Sequence, residues 1–158
     1  SDILVSGDGR HVSFVSESEG ALFLLRNSRS GFAKDNLTES AGIDSEPRFI
    51  TTWPGAQCNA HTCVLTIKKK DREWSVLATR TGAHVPERAL AATCERVDIV
   101  LSDRWLPSSC KPRWLKADRR LLEKTGGLAI NLREGRIVTV AQSQGLHGWW
   151  RAVPSNRW

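Results

Sequence analysis

The sequence predicts a single β-rich α+β domain, a sheet or sandwich built from hairpins with two or three short helices. Short apolar segments recur along the chain, and most of them flank a glycine-containing or polar turn. Stretches of helix-forming residues are few and short, and no apolar run approaches the roughly 18 residues that a membrane-spanning helix needs. A length of 158 residues is that of one domain with a real core.

The first part of the chain predicts a β-meander. Ile3–Val5 and His11–Val15 place apolar residues around a glycine turn, which is the pattern of a hairpin, and Ala21–Leu25 adds a third strand. The residues that follow predict a short helix around Phe32–Leu37. A loop with a short strand at Phe49–Thr51 then leads into the second part.

The second part predicts a longer hairpin, two helices and a closing hairpin. A proline followed by alanine-rich sequence begins the first helix, and Asp118 is placed to cap the second, which a glycine pair ends. In chain order, the predicted elements are the strands Val64–Lys68 and Trp74–Ala78, the helix Glu87–Ala92, the strand Val97–Leu101, the helix that ends at Lys124, and the strands Leu128–Leu132 and Arg136–Val140.

The positive charge is concentrated in the second part. Residues 1–57 hold 5 basic and 8 acidic side chains, whereas residues 58–158 hold 18 basic and 9 acidic ones, which gives the net charge of +6. We therefore divide the single domain 1–158 into a meander part (1–57) and a basic part with the closing hairpin (58–158). Such an excess of positive charge is typical of proteins that bind an anionic partner, although a solvated basic surface gives the same composition.

The four cysteines are Cys58, Cys63, Cys94 and Cys110, and three chemical states are open to them. Disulfides suit the even count, and we prefer Cys58–Cys63, which closes a tight loop, and Cys94–Cys110, which tethers a helix end to a later loop. Free thiols are the second state. Zinc is the third, but paired zinc cysteines are usually about two to four residues apart, and only the first pair comes near that spacing. Disulfides predict an oxidising space such as a periplasm.

Two basic clusters accompany tryptophans and are candidates for DNA contact. Cations that hold the backbone, with exposed rings on which bases stack, suit single-stranded nucleic acid. Against this, most tryptophans are substantially buried, and lysines at a hairpin tip also discourage edge aggregation. The first cluster, beside Trp74, is Lys68, Lys69, Lys70 and Arg72, and the second is Lys111, Arg113, Trp114, Lys116, Arg119 and Arg120.

The sequence shows no grouping of residues typical of a catalytic site. A histidine-based hydrolase needs its histidine near a nucleophile or a metal, and oriented by a carboxylate. His11, His61, His84 and His147 are scattered singly, and no Gly-x-Ser-x-Gly sequence is present. We therefore expect no independent catalytic site, no bound metal and no cofactor.

An ordered set of segments resembles the C-terminal soluble domain of ComEC-type competence proteins of α-proteobacterial kind. The similarity spans nearly the whole chain. Its parts are the opening stretch Asp2–Val12, the cysteine loop Gln57–Cys63, the stretch Cys94–Ser102 with Cys110 after it, the stretch Ala117–Leu122 with Gly126–Ile130, and the pair Trp149-Trp150.

In that family a membrane channel carries one strand of incoming DNA across the inner membrane, and many members end in a metallo-β-lactamase-like domain with a His-x-His-x-Asp-His metal cluster. The resemblance implies a shortened metallo-β-lactamase-like fold in which Ser102–Cys110 stands in place of a metal-binding loop. A hydrolytic zinc typically needs about three protein ligands, which isolated Asp103 does not supply.

We therefore expect a non-catalytic accessory domain of a DNA-uptake channel. The absence of methionine favours a piece of a longer protein. The expected partners are the membrane channel part of the same polypeptide and DNA, with no small-molecule substrate. The resemblance implies a parent protein in the inner membrane and a periplasmic position for this domain. The alternative is a metal-dependent nuclease or phosphodiesterase of metallo-β-lactamase type with a non-standard site.

Overall fold

Six strands form the first sheet of the computed structural model, which describes residues 1–26 and 46–140. They are β1 (Ile3–Ser6), β2 (Val12–Ser16), β3 (Ala21–Leu24), β4 (Arg48–Phe49), β10 (Gly127–Asn131) and β11 (Arg136–Thr139). Their spatial order is β11-β10-β1-β2-β3-β4, and every pair is antiparallel except β3 with β4. The first sheet therefore takes strands from both sides of residue 57.

Five strands form the second sheet, in chain order. They are β5 (Gln57–Cys58), β6 (Thr62–Lys69), β7 (Arg72–Thr79), β8 (Ile99–Leu101) and β9 (Leu115–Ala117). The pairs β5–β6 and β6–β7 are antiparallel, whereas β7, β8 and β9 run parallel. The parallel strands are connected through helix α1 (Glu87–Cys94) and a long loop, because parallel neighbours need a crossover.

The two sheets pack face to face around one apolar core. Phe14 and Phe23 of the first sheet belong to the same buried cluster as Leu65, Val76 and Ile99 of the second. Side chains of a strand alternate between its faces, so the neighbouring residues of β7 and β8 point away from this core. On that outer face, Leu77 and Val100 pack with Leu90 and Cys94 of α1. The chain thus has a β-rich α+β fold, a sandwich with α1 on one outer face.

The second helix, α2 (Arg119–Thr125), connects the two sheets and has the predicted caps. The Asp118 carboxylate accepts a hydrogen bond from the Leu121 N–H, and Gly126 ends the helix with a left-handed backbone, φ 72°. Helices α1 and α2 have eight and seven residues, and the described part of the chain holds no helix that could span a bilayer.

The structure differs from the prediction in two respects. The strand predicted at Phe49–Thr51 is instead β4 followed by a 3-10 helix over Ile50–Thr52, which buries Ile50 in the core. Strands β5 and β9 were not predicted, because each has only two or three residues and lies in cysteine-containing or strongly basic sequence. The helix predicted around Phe32–Leu37 lies outside the described residues.

The sandwich has two distinct ends. The hairpin-tip end holds the β6–β7 turn at Lys70, together with Asp98 and Trp114, which directly precede β8 and β9. The loop end holds the β1–β2 turn at Gly9 and the residues that follow β8, Ser102–Arg104. Gly9 has φ 75° and lies so close to the Asp103 backbone that an added Cβ would be 2.9 Å from the Asp103 Cα. The β1–β2 turn therefore packs against the Ser102–Arg104 segment only because Gly9 has no side chain.

Candidate nucleic-acid interface

Both preferred cysteine pairs are disulfides in the structure. Cys58 and Cys63 face each other across β5 and β6, with sulfurs 2.12 Å apart. Cys94 at the end of α1 is bonded to Cys110 at 2.11 Å, and no described cysteine is free. The second disulfide tethers α1 to the segment that leads into β9. Two disulfides indicate an oxidising, extracytoplasmic compartment.

The Ser102–Cys110 segment begins at the loop end, where its first polar side chains contact other parts of the chain. The Thr79 hydroxyl donates to the Ser102 hydroxyl at 2.8 Å, and the Ser102 oxygen accepts from the Arg104 N–H at 3.1 Å. The Arg104 guanidinium donates to the Ala83 carbonyl at 2.8 Å. These contacts join β7, β8 and the segment before α1.

Arg26 is the central cation of the loop end. Its guanidinium donates to the carbonyls of Arg80 and Thr79 at 3.0 Å, and to that of Arg10 at 2.9 Å. One Asp103 carboxylate oxygen lies 3.4 Å from it, an ion pair without hydrogen-bond geometry. Burial lowers the pKa of Arg26 below its ordinary value, although the Asp103 charge opposes this shift. The guanidinium therefore cross-links both sheets at this end.

The histidines stay apart in the described part of the chain. His61 Nδ1 lies 2.9 Å from the Thr81 hydroxyl, and no group of three or more histidine, cysteine, aspartate or glutamate residues within residues 1–26 and 46–140 is arranged to hold a metal ion. His147, Trp149, Trp150 and Trp158 lie outside the described residues.

The first basic cluster is divided by its contacts. Lys68 and Lys70 are exposed, and Lys70 occupies the hairpin turn with φ 55°. Lys69 points back into the protein, where its ammonium lies 2.9 Å from the Asp2 carboxylate and its side chain is only 11 % exposed. Because Asp2 also accepts a hydrogen bond from the Leu132 N–H, the Lys69–Asp2 ion pair joins the two sheets. Lys69 is therefore less available to a ligand than the exposed Lys70.

A cleft at the hairpin-tip end brings residues of both basic clusters together. The Arg72 guanidinium carbon lies 3.7 Å above the centre of the Trp74 ring, and the Trp74 and Trp114 rings are 4.9 Å apart. Trp74 is buried, whereas Trp114 is 36 % exposed. The hairpin-tip cleft has a volume of about 480 Å³, and we define it by its lining residues: Lys69, Lys70, Arg72, Trp74, Asp98, Arg113, Trp114, Leu132, Arg133, Glu134 and Gly135.

The rest of the second cluster lies away from this cleft. Lys116 is directed to the Pro107 carbonyl, to which its ammonium donates at 2.7 Å. Arg119 and Arg120 follow β9 on α2, at the loop end, and the Arg119 guanidinium lies 4.8 Å from the centre of the exposed Trp105 ring. Lys111 is exposed near the second disulfide. Of the ten candidate contact residues, only Lys69, Lys70, Arg72, Arg113 and Trp114 line the cleft.

Sequence reasoning missed Asp98 and Arg133. Asp98 was predicted only as a strand residue, although a carboxylate between apolar residues is itself a signal of a buried polar contact. Arg133 lies in the β10–β11 turn and reaches the cleft because β10 pairs with β1 in the first sheet. No local pattern in the sequence specifies that pairing.

Comparisons with protein-family models, with curated proteins and with solved structures give no match. The ordered resemblance to ComEC-type proteins therefore remains a prediction.

Proposed function

We propose that this chain is a non-catalytic accessory domain of a membrane DNA-uptake channel, and that the hairpin-tip cleft contacts single-stranded DNA. The observation that carries the proposal is the position of Trp114. This ring is partly exposed and packs on Trp74, beside two guanidinia, those of Arg72 and Arg113, whose side chains are more than half exposed.

The chemistry of the cleft favours a single strand over a duplex. A base stacked on an aromatic ring contributes about 1–3 kcal/mol, and the ring accepts any base because every base has a flat face. In a duplex these faces are covered by neighbouring base pairs. Cations at the sides of the ring are placed to take the phosphates of the same strand.

The loop end supports the non-catalytic part of the proposal. Ligands of a hydrolytic metal project toward one point and keep a coordination position open. Here Ser102 contacts Thr79, and Asp103 faces the Arg26 guanidinium, which lies between the sheets. A fixed cation beside Asp103 opposes the binding of a second cation there.

The proposed location is the periplasmic side of the inner membrane, with the channel part of the same polypeptide as the partner. The two disulfides support an extracytoplasmic position in general. The finer assignment rests on the resemblance to ComEC-type proteins.

DNA contact is tested by fluorescence anisotropy with labelled oligothymidylate, with a duplex of equal length as competitor. We expect the single strand to bind more tightly, with an affinity that falls steeply with salt. Arg72→Glu at the hairpin-tip end should weaken binding about tenfold, whereas Arg120→Glu, the same charge change at the loop end, should have a much smaller effect. Equal losses would remove the cleft from the DNA interface.

The non-catalytic part is tested with chelator-free protein. Metal content is measured, and cleavage of single-stranded and duplex DNA is followed in manganese and in zinc. We expect neither stoichiometric metal nor cleavage. Bound metal together with chelator-sensitive cleavage would establish the nuclease alternative.

A further inference from the structure

Asp98 is the carboxylate at the centre of the basic side of the hairpin-tip cleft. Its side chain is buried, and one oxygen accepts a hydrogen bond from the Ser75 N–H at 2.9 Å. The other oxygen lies 3.3 Å from the Arg113 Nη1 and 3.6 Å from the Arg72 Nη2. One buried anion therefore contacts both of the guanidinia that flank the tryptophan pair.

Both arginine side chains are largely exposed to solvent. A guanidinium has five N–H donors in one plane. Arg113 uses one on Asp98 and another on the Arg96 carbonyl at 2.7 Å. The Arg72 guanidinium carbon lies 3.7 Å from the centre of the Trp74 ring, and its Nη2 lies 3.6 Å from the Asp98 carboxylate. The two side chains are 56 % and 58 % exposed.

The surroundings of Asp98 are strongly cationic. Lys69, Lys70, Arg72, Arg113 and Arg133 line the cleft, together with two carboxylates, those of Asp98 and Glu134. Lys69 pairs with Asp2, and the Arg133 guanidinium lies 3.6 Å from the exposed Glu17 carboxylate. Glu134 also pairs with Arg136 at 3.4 Å. Asp98 is thus the buried anion of a pocket whose net positive charge favours an oxyanion from solvent.

We propose that the cleft is a phosphate-binding site in which Asp98 competes with the ligand for the Arg72 and Arg113 guanidinia and so limits its affinity. The ligand is a phosphate group. That this phosphate belongs to the backbone of single-stranded DNA rests on the proposed function, whereas the phosphate site itself does not. Phosphate bridges the exposed donors of both arginines, while Asp98 draws the same groups toward the protein and repels the incoming anion.

Asp98→Asn tests whether the negative charge of Asp98 limits the affinity for phosphate. The amide keeps an oxygen for the Ser75 N–H and nearly the same volume, but it removes the negative charge. We expect affinity for inorganic pyrophosphate and for oligothymidylate to rise about three- to tenfold, because a unit charge within one or two contact distances is removed. The salt dependence of oligothymidylate binding should steepen by about one phosphate contact.

The matched control is Asp71→Asn. Asp71 is exposed in the β6–β7 turn and does not line the cleft. This variant therefore makes the same change in net charge as Asp98→Asn but leaves the carboxylate that contacts the two guanidinia in place. Pyrophosphate binding is followed through the Nε–Hε resonances of Arg72 and Arg113, and the folded state of each variant through its thermal midpoint.

A rise confined to Asp98→Asn supports the inference. Equal rises in both variants show an effect of net charge alone and overturn it, as does an unchanged or weaker affinity in Asp98→Asn. If oligothymidylate fails to bind to either protein while pyrophosphate binds more tightly to Asp98→Asn, the phosphate site stands and the DNA function falls. Should Asp98→Asn fail to fold, Arg72→Gln/Arg113→Gln must abolish pyrophosphate binding, and retained binding overturns the site.

Discussion

At the loop end, the Arg26 guanidinium donates to backbone carbonyls of both sheets and lies beside Asp103, with a side chain only 16 % exposed. At the hairpin-tip end, Arg72 and Arg113 share one buried carboxylate and remain more than half exposed. The same residue type thus stabilises the fold at one end and is available to a ligand at the other. The number of basic residues in a segment does not distinguish a structural arginine from one that can bind a ligand. The number of hydrogen-bond acceptors that surround each guanidinium does.

The largest expected effect is at the loop end. Arg26→Leu leaves the carbonyls of Arg10, Thr79 and Arg80 without their donor and Asp103 without its cation. Because unpaired buried groups keep their desolvation cost, we expect a loss of about 3 kcal/mol in the free energy of unfolding, measured by urea denaturation. Arg120→Leu, an exposed change on α2, should cost at most about 0.5 kcal/mol. Equal costs would mean that Arg26 does not join the sheets.

A smaller effect separates the two exposed tryptophans. Trp114→Ala should weaken binding of oligothymidylate by about 1–3 kcal/mol, because a base loses its stacking surface. Trp105→Ala removes a more exposed ring at the loop end, 58 % against 36 %, and should leave binding unchanged. Anisotropy titrations of both variants at one salt concentration make the comparison. Weaker binding in Trp105→Ala alone would move the interface to the loop end.

The smallest expected effect is a pH dependence in the β1–β2 turn. Burial raises the pKa of Asp8, but hydrogen bonds from the Ser6 hydroxyl and the Arg10 N–H, together with nearby positive charge, lower it overall. A lowered pKa in the folded state gives stability that is present above the unfolded pKa and is lost as the pH falls through the folded one.

Asp8→Asn should therefore have a slightly lower thermal midpoint than the wild type at neutral pH. The two midpoints should converge in acid, once Asp8 is protonated in both the folded and the unfolded state. A gap that persists or widens as the pH falls would show that the ionised carboxylate does not contribute.

Most of the fold was predictable from the sequence because it is built from local patterns. Alternating apolar residues specify the hairpins of β1–β2, β6–β7 and β10–β11, and Asp118 and Gly126 specify the limits of α2. What the sequence does not specify is the insertion of β10 beside β1, since that pairing joins residues more than a hundred positions apart. The two-sheet arrangement depends on this pairing.

The candidate site was predictable only in part, for the same reason. The sequence predicted contact residues from basic side chains that occur beside tryptophans. Four of them lie together because β7, β8 and β9 are parallel and begin at the same end: Lys70, Arg72, Arg113 and Trp114. Lys69 and Lys116 belong to the same runs, yet they contact Asp2 and the Pro107 carbonyl. These partners come from other elements, so no pattern within either run separates the available cations from the others.

The most direct test of the two-ended account follows the indole N–H resonances of the tryptophans during titration with oligothymidylate. Trp114→Phe and Trp105→Phe assign the two reporters, one at each end of the sandwich. We expect the signals of Trp114 and of its neighbour Trp74 to shift and reach saturation, while the Trp105 signal stays unchanged. A saturable shift of Trp105 with Trp114 unchanged would contradict a binding site at the hairpin-tip end.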